Sequence, residues 1–162
     1  MEHYNKAAEK LKINFFEKII GSGFYSGYAP IASGTVGSAV AIIIYLIPGF
    51  ENLFIIIPVT ILLLVYGISV GTKFESVYGK DPAQCTVDEF VGTWISLIAL
   101  PKTFIIVTSA FFLWRILDII KPPPARNLEK LKGGLGIMID DVVSGIYTLI
   151  IMHLVVYLTG NF

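Results

Sequence analysis

Five apolar stretches, separated by short polar links, dominate the pattern of this chain of 162 residues: 36–47, 53–70, 90–100, 104–120 and 142–158. A helix that crosses the roughly 30 Å hydrocarbon layer of a bilayer needs about 20 residues. The second, fourth and fifth stretches approach that length, whereas the first and third are shorter. The pattern therefore predicts three membrane-spanning helices and about four to five hydrophobic helices in all.

The composition supports a membrane protein. Hydrophobic residues make up 55% of the chain, charged residues 15%, and the mean hydropathy is +0.76, whereas soluble domains are about 25% charged. We therefore predict an all-α membrane helical bundle that forms a single domain over residues 1–162. A soluble helical bundle is the alternative, because short apolar runs also occur in buried core helices.

The N-terminal segment differs from the rest of the chain. Its first eighteen residues mix acidic and basic side chains and lack the apolar core of a signal peptide. Leu11, Phe15 and Ile19 recur every four residues, and Ala7 precedes them, which predicts an amphipathic helix. A surface helix of the protein and a helix on the membrane surface both fit this pattern.

The basic residues are distributed unevenly among the links. Most of them lie in the N-terminal segment, in the link 71–89 and in the link 121–141, while the other two links carry one charged residue each, Glu51 and Lys102. Since cytoplasmic loops of membrane proteins are enriched in lysine and arginine, these three segments are predicted to be cytoplasmic. Five crossings would then leave the C-terminus outside.

Four polar clusters fall on this predicted cytoplasmic side: GTVGS at 34–38, TVDEF at 86–90, RILDIIKPPPAR at 115–126 and the aspartate pair at 140–141. Acids beside a membrane segment are costly to desolvate, so they indicate function. Each cluster also has a structural explanation. Acids near a helix start can cap it or complement its dipole, glycines permit close helix packing, and Lys121 and Arg126 can anchor the chain at the membrane surface.

Taken together, the clusters suit a cation and a phosphate group. Mg²⁺ prefers oxygen ligands and is typically held by one or two carboxylates, substrate phosphate and water. Arg115 and Asp118 are three residues apart and share a helical face. Arg115, Lys121 and Arg126 can neutralise phosphate oxygens. Free backbone N–H groups at 34–38 can also bind phosphate, although the Gly-Lys-Ser/Thr ending of a P-loop is absent.

Several other functions are excluded by residues that the chain lacks. The formal net charge is zero and no basic stripe is present, so nucleic acid is not an expected partner. Cys85 is the only cysteine, and His3 and His153 are the only histidines, so no disulfide or cysteine zinc site can form. Val91 stands where a cysteine phosphatase loop would carry arginine, and no DxD motif supports an aspartyl-phosphate mechanism. Metal-assisted attack by water remains.

Six motifs in order resemble the phosphatidylglycerophosphatase A family of bacteria: GSG at 21–23, GTVGS at 34–38, DEFVGTW at 88–94, RILD at 115–118, KPPPAR at 121–126 and GGLGIMIDDVVSG at 133–145. The resemblance covers about residues 20–150. It implies a Mg²⁺-dependent phosphatase of the bacterial cytoplasmic membrane, with several spans and a site that faces the cytoplasm. Its substrate would be phosphatidylglycerophosphate, and its partner the lipid bilayer.

The resemblance also carries functional positions onto this sequence. Those expected in catalysis are Asp88, Glu89, Asp118, Asp140 and Asp141. Those expected to bind phosphate are Gly34, Thr35, Gly37, Ser38, Arg115, Lys121 and Arg126. Our hypothesis is that Asp88, Glu89, Asp140 and Asp141 supply most Mg²⁺ ligands or the base that orients water. Asp118 would be a further ligand or would hold Arg115.

Three alternatives differ from this function. A small transporter or ion-coupling subunit also contains membrane acids, but it predicts them near the middle of a segment rather than at one edge. A transferase that uses a nucleotide-activated lipid would need a DGxxAR-type motif, which is missing. The third alternative, a phosphatase that acts on another lipid phosphate, is compatible with the same residues.

Overall fold

Seven α-helices and one 3₁₀ turn make up residues 12–160, the part of the chain that this computed structural model describes, and these residues contain no strand. The helices are α1 (Phe15–Gly21), α2 (Ser33–Tyr45), α3 (Leu53–Tyr78), α4 (Val87–Leu97), α5 (Phe104–Ile120), α6 (Ala125–Leu128) and α7 (Gly134–Thr159), and the 3₁₀ turn is Ser26–Tyr28. The all-α prediction is confirmed, and the helix count is slightly higher than predicted.

Local sequence signals define several helix ends. Asn52 precedes α3 and its side chain accepts a hydrogen bond from the Phe54 N–H at 2.9 Å, while Thr103 caps α5 in the same way. Such side chains satisfy N–H groups that have no partner within the helix. α5 ends at Lys121, which adopts a left-handed conformation with φ of 49° directly before Pro122. The observed bounds of α5 are the predicted ones.

The short helix α4 forms the centre of the molecule. It packs against α2, α3, α5 and α7, and all of its residues except Ile95 are buried. Trp94 joins it to α2, because its indole N–H donates a 3.0 Å hydrogen bond to the Ala41 carbonyl. Since α4 is surrounded on all sides, the two acids in its first turn point into the interior.

A pair of glycines lets α3 and α7 approach closely. Gly67 and Gly71 are four residues apart on α3 and face Met138 and Gly134 of α7. A side chain at Gly134 would collide with the Ile68 carbonyl of α3. Small residues at this spacing are typical of helix contacts in membranes. The start of α7 is thus held directly against the backbone of α3.

Two of the described helices, α3 and α7, are long and apolar enough to cross a membrane. Both carry exposed apolar side chains, such as Phe54, which is 91% exposed, and Leu158. α5, which was predicted as a third span, has 17 residues, or about 25 Å of helix, which is shorter than the hydrocarbon layer.

The structure corrects where the fifth hydrophobic helix starts. α7 begins at Gly134 rather than at Val142, so Asp140 and Asp141 lie almost two turns inside it. The residue that caps α7 is Gly133, which has no capping side chain. The interpretation of either aspartate as a cap is therefore wrong. Asp88 and Glu89, in contrast, lie in the first turn of α4 as expected.

Two further predictions are changed. Three successive prolines favour an extended chain, whereas Pro122 to Pro124 form turns followed by α6. Most of the predicted N-terminal amphipathic helix, including Leu11, lies outside the described residues. In the part that is described, Glu17 of α1 is buried and paired with Lys73, while Phe15 is 65% exposed.

Candidate active site

One cavity of about 360 Å³ lies where α2 and α4 begin, α5 ends and the first third of α7 passes. The structure therefore brings the four predicted polar clusters together. Its walls carry these predicted site residues: Gly34, Asp88, Glu89, Asp118, Lys121, Asp140 and Asp141. Helices from distant parts of the sequence hold most of these side chains, so the site is positioned mainly by the helical framework.

Three carboxylates form the most compact acidic group in the cavity. One oxygen each of Asp118, Asp140 and Asp141 lies within 4.8 Å of the other two, and all three residues are buried. Oδ1 of Asp140 and Oδ2 of Asp141 have no hydrogen-bond partner among residues 12–160. Buried carboxylate oxygens need a partner. Because hard divalent cations take oxygen ligands, the group fits Mg²⁺.

Arg115 links this acidic group to α2 and α4. Its guanidinium forms ion pairs with Glu89 and, at 3.0 Å, with Asp118. Glu89 also accepts a 3.0 Å hydrogen bond from the Ser38 hydroxyl. Glu89 is thus held by two partners on neighbouring helices, Ser38 of α2 and Arg115 of α5.

Lys121 is the second cationic group at the cavity. Its ammonium donates a 2.6 Å hydrogen bond to Asp140 and lies 3.1 Å from the Glu129 carboxylate. Burial alone lowers the pKa of a lysine, but the Asp140 and Glu129 carboxylates outweigh this effect and raise the pKa of Lys121. Lys121 therefore stays protonated and can bind an anion.

Two residues of the loop between α3 and α4 were not predicted as parts of the site. Asp81 lines the cavity in a left-handed conformation with φ of 47°, and burial raises the pKa of its carboxyl group. The sequence signal that could have pointed to Asp81 is the Asp-Pro pair shortly before the TVDEF cluster. Cys85 also lines the cavity, and burial, with the nearby Asp88 carboxylate, raises the pKa of its thiol well above the usual value. A cysteine thiolate is thus disfavoured there.

The glycine-rich turn at 34–38 meets the acids at the start of α2. Gly34 lies so close to the Glu89 carboxylate that a Cβ atom would collide with it, and Gly37 packs on Thr86. Close packing therefore explains both glycines. Ser38 contacts Glu89, whereas Thr35 is exposed.

The two remaining basic residues of the hypothesis differ in position. Arg115 lies beside the cavity through its two carboxylate partners. Arg126 lies on α6, is exposed, and is not among the residues that line the cavity. The hypothesis that both bind the same phosphate group is therefore supported more strongly for Arg115.

Residues 19–156 match the family model described as Phosphatidylglycerophosphatase A. This chain belongs to the phosphatidylglycerophosphatase A family. The resemblance inferred from the six motifs is confirmed, and the chain is a phosphatase. No solved structure gives a significant match.

Three relatives cover most of this phosphatidylglycerophosphatase A family member. An Escherichia coli protein named "Phosphatidylglycerophosphatase A" is 35% identical over 94% of this chain and 91% of its own length. A Haemophilus influenzae protein of the same name is 36% identical over 86% of this chain and 88% of its own. A Bacteroides thetaiotaomicron protein named "Putative phosphatidylinositol-3-phosphatase" is 39% identical over 91% of this chain and 98% of its own.

Proposed function

We propose that this phosphatase hydrolyses the terminal phosphate of phosphatidylglycerophosphate to give phosphatidylglycerol and inorganic phosphate, and that it requires Mg²⁺. The observation that carries the proposal is the group of Asp118, Asp140 and Asp141, with two unpaired carboxylate oxygens in a cavity that Lys121 also lines. A divalent cation would neutralise the carboxylates. The negatively charged phosphate of the substrate would then be attracted to that cation and to Lys121.

The contacts support a revised division of roles. Asp118, Asp140 and Asp141 would hold the cation, so Asp118 takes the place that we expected for Glu89. Glu89 and Ser38 would orient Arg115, which with Lys121 would bind the phosphate oxygens. Among residues 12–160 Asp88 forms no ion pair and lines the cavity, so we assign it the role of accepting a proton from the attacking water.

Hydrolysis by these residues needs no covalent intermediate. The water oxygen forms a bond to phosphorus as the bond between phosphorus and the glycerol oxygen breaks, and the proton that Asp88 accepts from the water would pass to the leaving glycerol oxygen to give the hydroxyl of phosphatidylglycerol. Bound Mg²⁺ would supply positive charge beside the phosphoryl oxygens. Arg115 and Lys121 would stabilise the same oxygens from the α5 side, and such preorganised charge is usually the largest contribution to catalysis of this kind.

We further propose that the protein spans the bacterial cytoplasmic membrane several times with its cavity facing the cytoplasm. The long apolar helices α3 and α7 and the basic residues of the adjoining links support this arrangement. The cavity would then lie near the depth of the lipid headgroups, where the phosphate of a phospholipid is found.

The test is phosphate release from phosphatidylglycerophosphate by detergent-purified protein, with Mg²⁺ and with a chelator. We expect release with Mg²⁺ only, and a loss of about 100-fold or more in Asp140→Asn, as for removal of other groups that stabilise transition-state charge. Equal release with the chelator would overturn the Mg²⁺ requirement. If no phosphate is released under either condition, the assignment of phosphatidylglycerophosphate as the substrate is wrong.

A second candidate substrate is another phospholipid with a phosphate monoester in its headgroup. The observation that favours it is the name of the Bacteroides thetaiotaomicron relative. Comparing phosphatidylglycerophosphate with phosphatidylinositol 3-phosphate at equal mole fraction in the same micelles decides between them. We expect a higher kcat/KM for phosphatidylglycerophosphate.

A further inference from the structure

A second cavity, an apolar groove of about 470 Å³, lies between α2 and α3 with α4 as its floor. The residues that line the groove include Ile44, Val59, Leu63, Tyr66, Phe90 and Trp94, together with Phe50 and Phe24. Its volume is within the range of about 300–1,000 Å³ that small-molecule sites occupy. The described residues that line it expose almost no polar surface, so they do not favour a charged or strongly polar ligand.

The groove is directly next to the active-site cavity. Glu89 lines the cavity and the next residue, Phe90, lines the groove. Because adjacent residues of a helix point about 100° apart, the first turn of α4 separates a polar space from an apolar one. A single amphiphilic molecule can therefore contact both sides of this turn.

The groove also opens to the surface of a predicted membrane-spanning helix. On α3 it runs from Tyr66 to Val59, a distance of about 10 Å along the helix axis. Leu62, on the same stretch, is 69% exposed. Phe50, Phe90 and Trp94 form an aromatic wall, in which the Trp94 ring lies 4.9 Å from Phe50 and 5.7 Å from Phe90.

We propose that this groove binds one acyl chain of the phospholipid whose phosphate enters the acidic cavity. The inference rests on the proposed function, because only a lipid substrate joins an apolar chain to a phosphate. The groove is apolar and bounded by aromatic rings, it opens on the lipid-facing side of α3, and it begins one residue away from the cavity. These properties fit a hydrocarbon chain that stays in the bilayer while its headgroup reaches the acids.

Trp94 provides a reporter of this binding that does not depend on catalysis. Brominated acyl chains quench tryptophan fluorescence at short range, and Trp114 is the only other tryptophan. In a Trp114→Phe variant in micelles, we expect phosphatidylglycerol with brominated chains to quench Trp94 saturably. The control for bulk lipid is a single tryptophan on the exposed surface of α3, made by Val65→Trp with both native tryptophans changed to phenylalanine.

We expect Trp94 to reach half-quenching at a several-fold lower mole fraction of brominated lipid than the tryptophan at position 65. Equal mole fractions for the two reporters would mean that the groove holds only bulk lipid or detergent, and would overturn the inference. Neither result depends on whether the protein hydrolyses phosphatidylglycerophosphate, so failure of the proposed function is distinguished from failure of the groove.

A kinetic comparison in the native-tryptophan background completes the test. Val59→Phe fills the groove, and Val65→Phe makes the same change on the exposed side of α3. We expect Val59→Phe to raise KM for a long-chain substrate several-fold while leaving KM for a short-chain, water-soluble analogue unchanged. Val65→Phe should change neither. An equal effect of the two variants on the long-chain substrate would contradict an acyl-chain site.

Discussion

The two adjacent aspartates of α7 have different surroundings. Asp140 is paired with Lys121, whereas Asp141 forms no ion pair among residues 12–160 and faces Asp118 and Asp140. Three carboxylates so close together repel each other unless a cation or protons neutralise them. The free energy of unfolding should therefore depend on the cation, and Asp141 is the residue through which that dependence is most directly tested.

We expect Mg²⁺ to raise the melting temperature of the purified protein, because a ligand that binds the folded state stabilises it by about 2.7 kcal/mol at 100 times its Kd. Asp141→Asn should lose most of this response while melting no lower than the unaltered protein without Mg²⁺. Glu51→Gln makes the same change of charge just before the start of α3, away from the cavity. This variant should keep the full increase in melting temperature with Mg²⁺. An undiminished response in Asp141→Asn would remove Asp141 from the cation site.

Lys121 and Arg126, which flank the proline turn, should differ in their contributions to catalysis. Lys121 contacts Asp140, whereas Arg126 is exposed. We expect Lys121→Ala to lower kcat/KM for phosphate release by about 100-fold, as for other buried charge-stabilising groups. Arg126→Ala should lower it by less than about 3-fold, as expected of a surface charge. A larger loss in Arg126→Ala would show that α6 moves onto the bound phosphate.

The identities of the polar residues were predicted from sequence more completely than their pairing. Composition makes each buried acid conspicuous, so Asp88, Asp118 and Asp141 were identified correctly as cavity residues. The carboxylates that pair with Arg115 are determined by the packing of α2, α4 and α5. The hydrophobic periodicity of the sequence carries no information about this packing. The hypothesis that Glu89 is one of the Mg²⁺ ligands or the water-orienting base did not include its contacts with Ser38 and Arg115 for this reason.

At the scale of helices, the contact of α3 with α7 determines where the acids stand. The backbone of Gly134 touches α3, and Asp140 follows it by six residues, or about 9 Å along the helix. A change in this contact shifts the acids relative to Asp118, which belongs to α5. The geometry of the site thus depends on a glycine that lies outside it.

We expect Gly134→Ala to lower the free energy of unfolding by about 1–3 kcal/mol, the usual cost of adding an atom to a tightly packed contact. It should also reduce phosphate release, because α7 must move away from α3. Gly71→Ala, whose Cβ would be 3.0 Å from the Gly134 Cα atom, should show a smaller loss of stability. Thermal unfolding with and without Mg²⁺ measures both effects, and a Gly134→Ala protein of unchanged stability would contradict the close contact.

The helices that end at strong local signals were predicted best. Thr103 and the prolines after Lys121 define α5, and its bounds agreed with the prediction. The start of α7 was missed, because Gly133, Gly134 and Gly136 are typical of a turn. Gly133 does lie before the helix with a φ of 71°, but the helical conformation of Gly134 is stabilised by its packing on Ile68 of α3, which is tertiary information. The same limit applies to α4, whose short length gave no indication that it occupies the centre.

At the scale of the molecule, the proposed orientation in the membrane would make α6 cytoplasmic and the end of α7 external. We expect Asn127→Cys and Thr159→Cys, each in a Cys85→Ala background, to react differently with a membrane-impermeant thiol reagent. In cells whose cytoplasmic membrane is intact but whose outer layers admit the reagent, only the Thr159→Cys protein should be labelled. Both proteins should be labelled after the cytoplasmic membrane is permeabilised. Labelling of Asn127→Cys in intact cells would reverse the orientation.

The balance of charge around the cavity has a consequence for kinetics. The acidic residues that line it are Asp81, Asp88, Glu89, Asp118, Asp140 and Asp141, and among residues 12–160 the basic side chains that oppose them are Lys121 and Arg115. A phosphate dianion that approached this surface first would be repelled, whereas a divalent cation would be attracted. The cation should therefore bind before the lipid phosphate, in a compulsory order of addition. Asp140 would offer the cation its Oδ1 atom while its Oδ2 atom stays bound to Lys121, so one carboxylate would place the cation and the lysine on the same side of the phosphate.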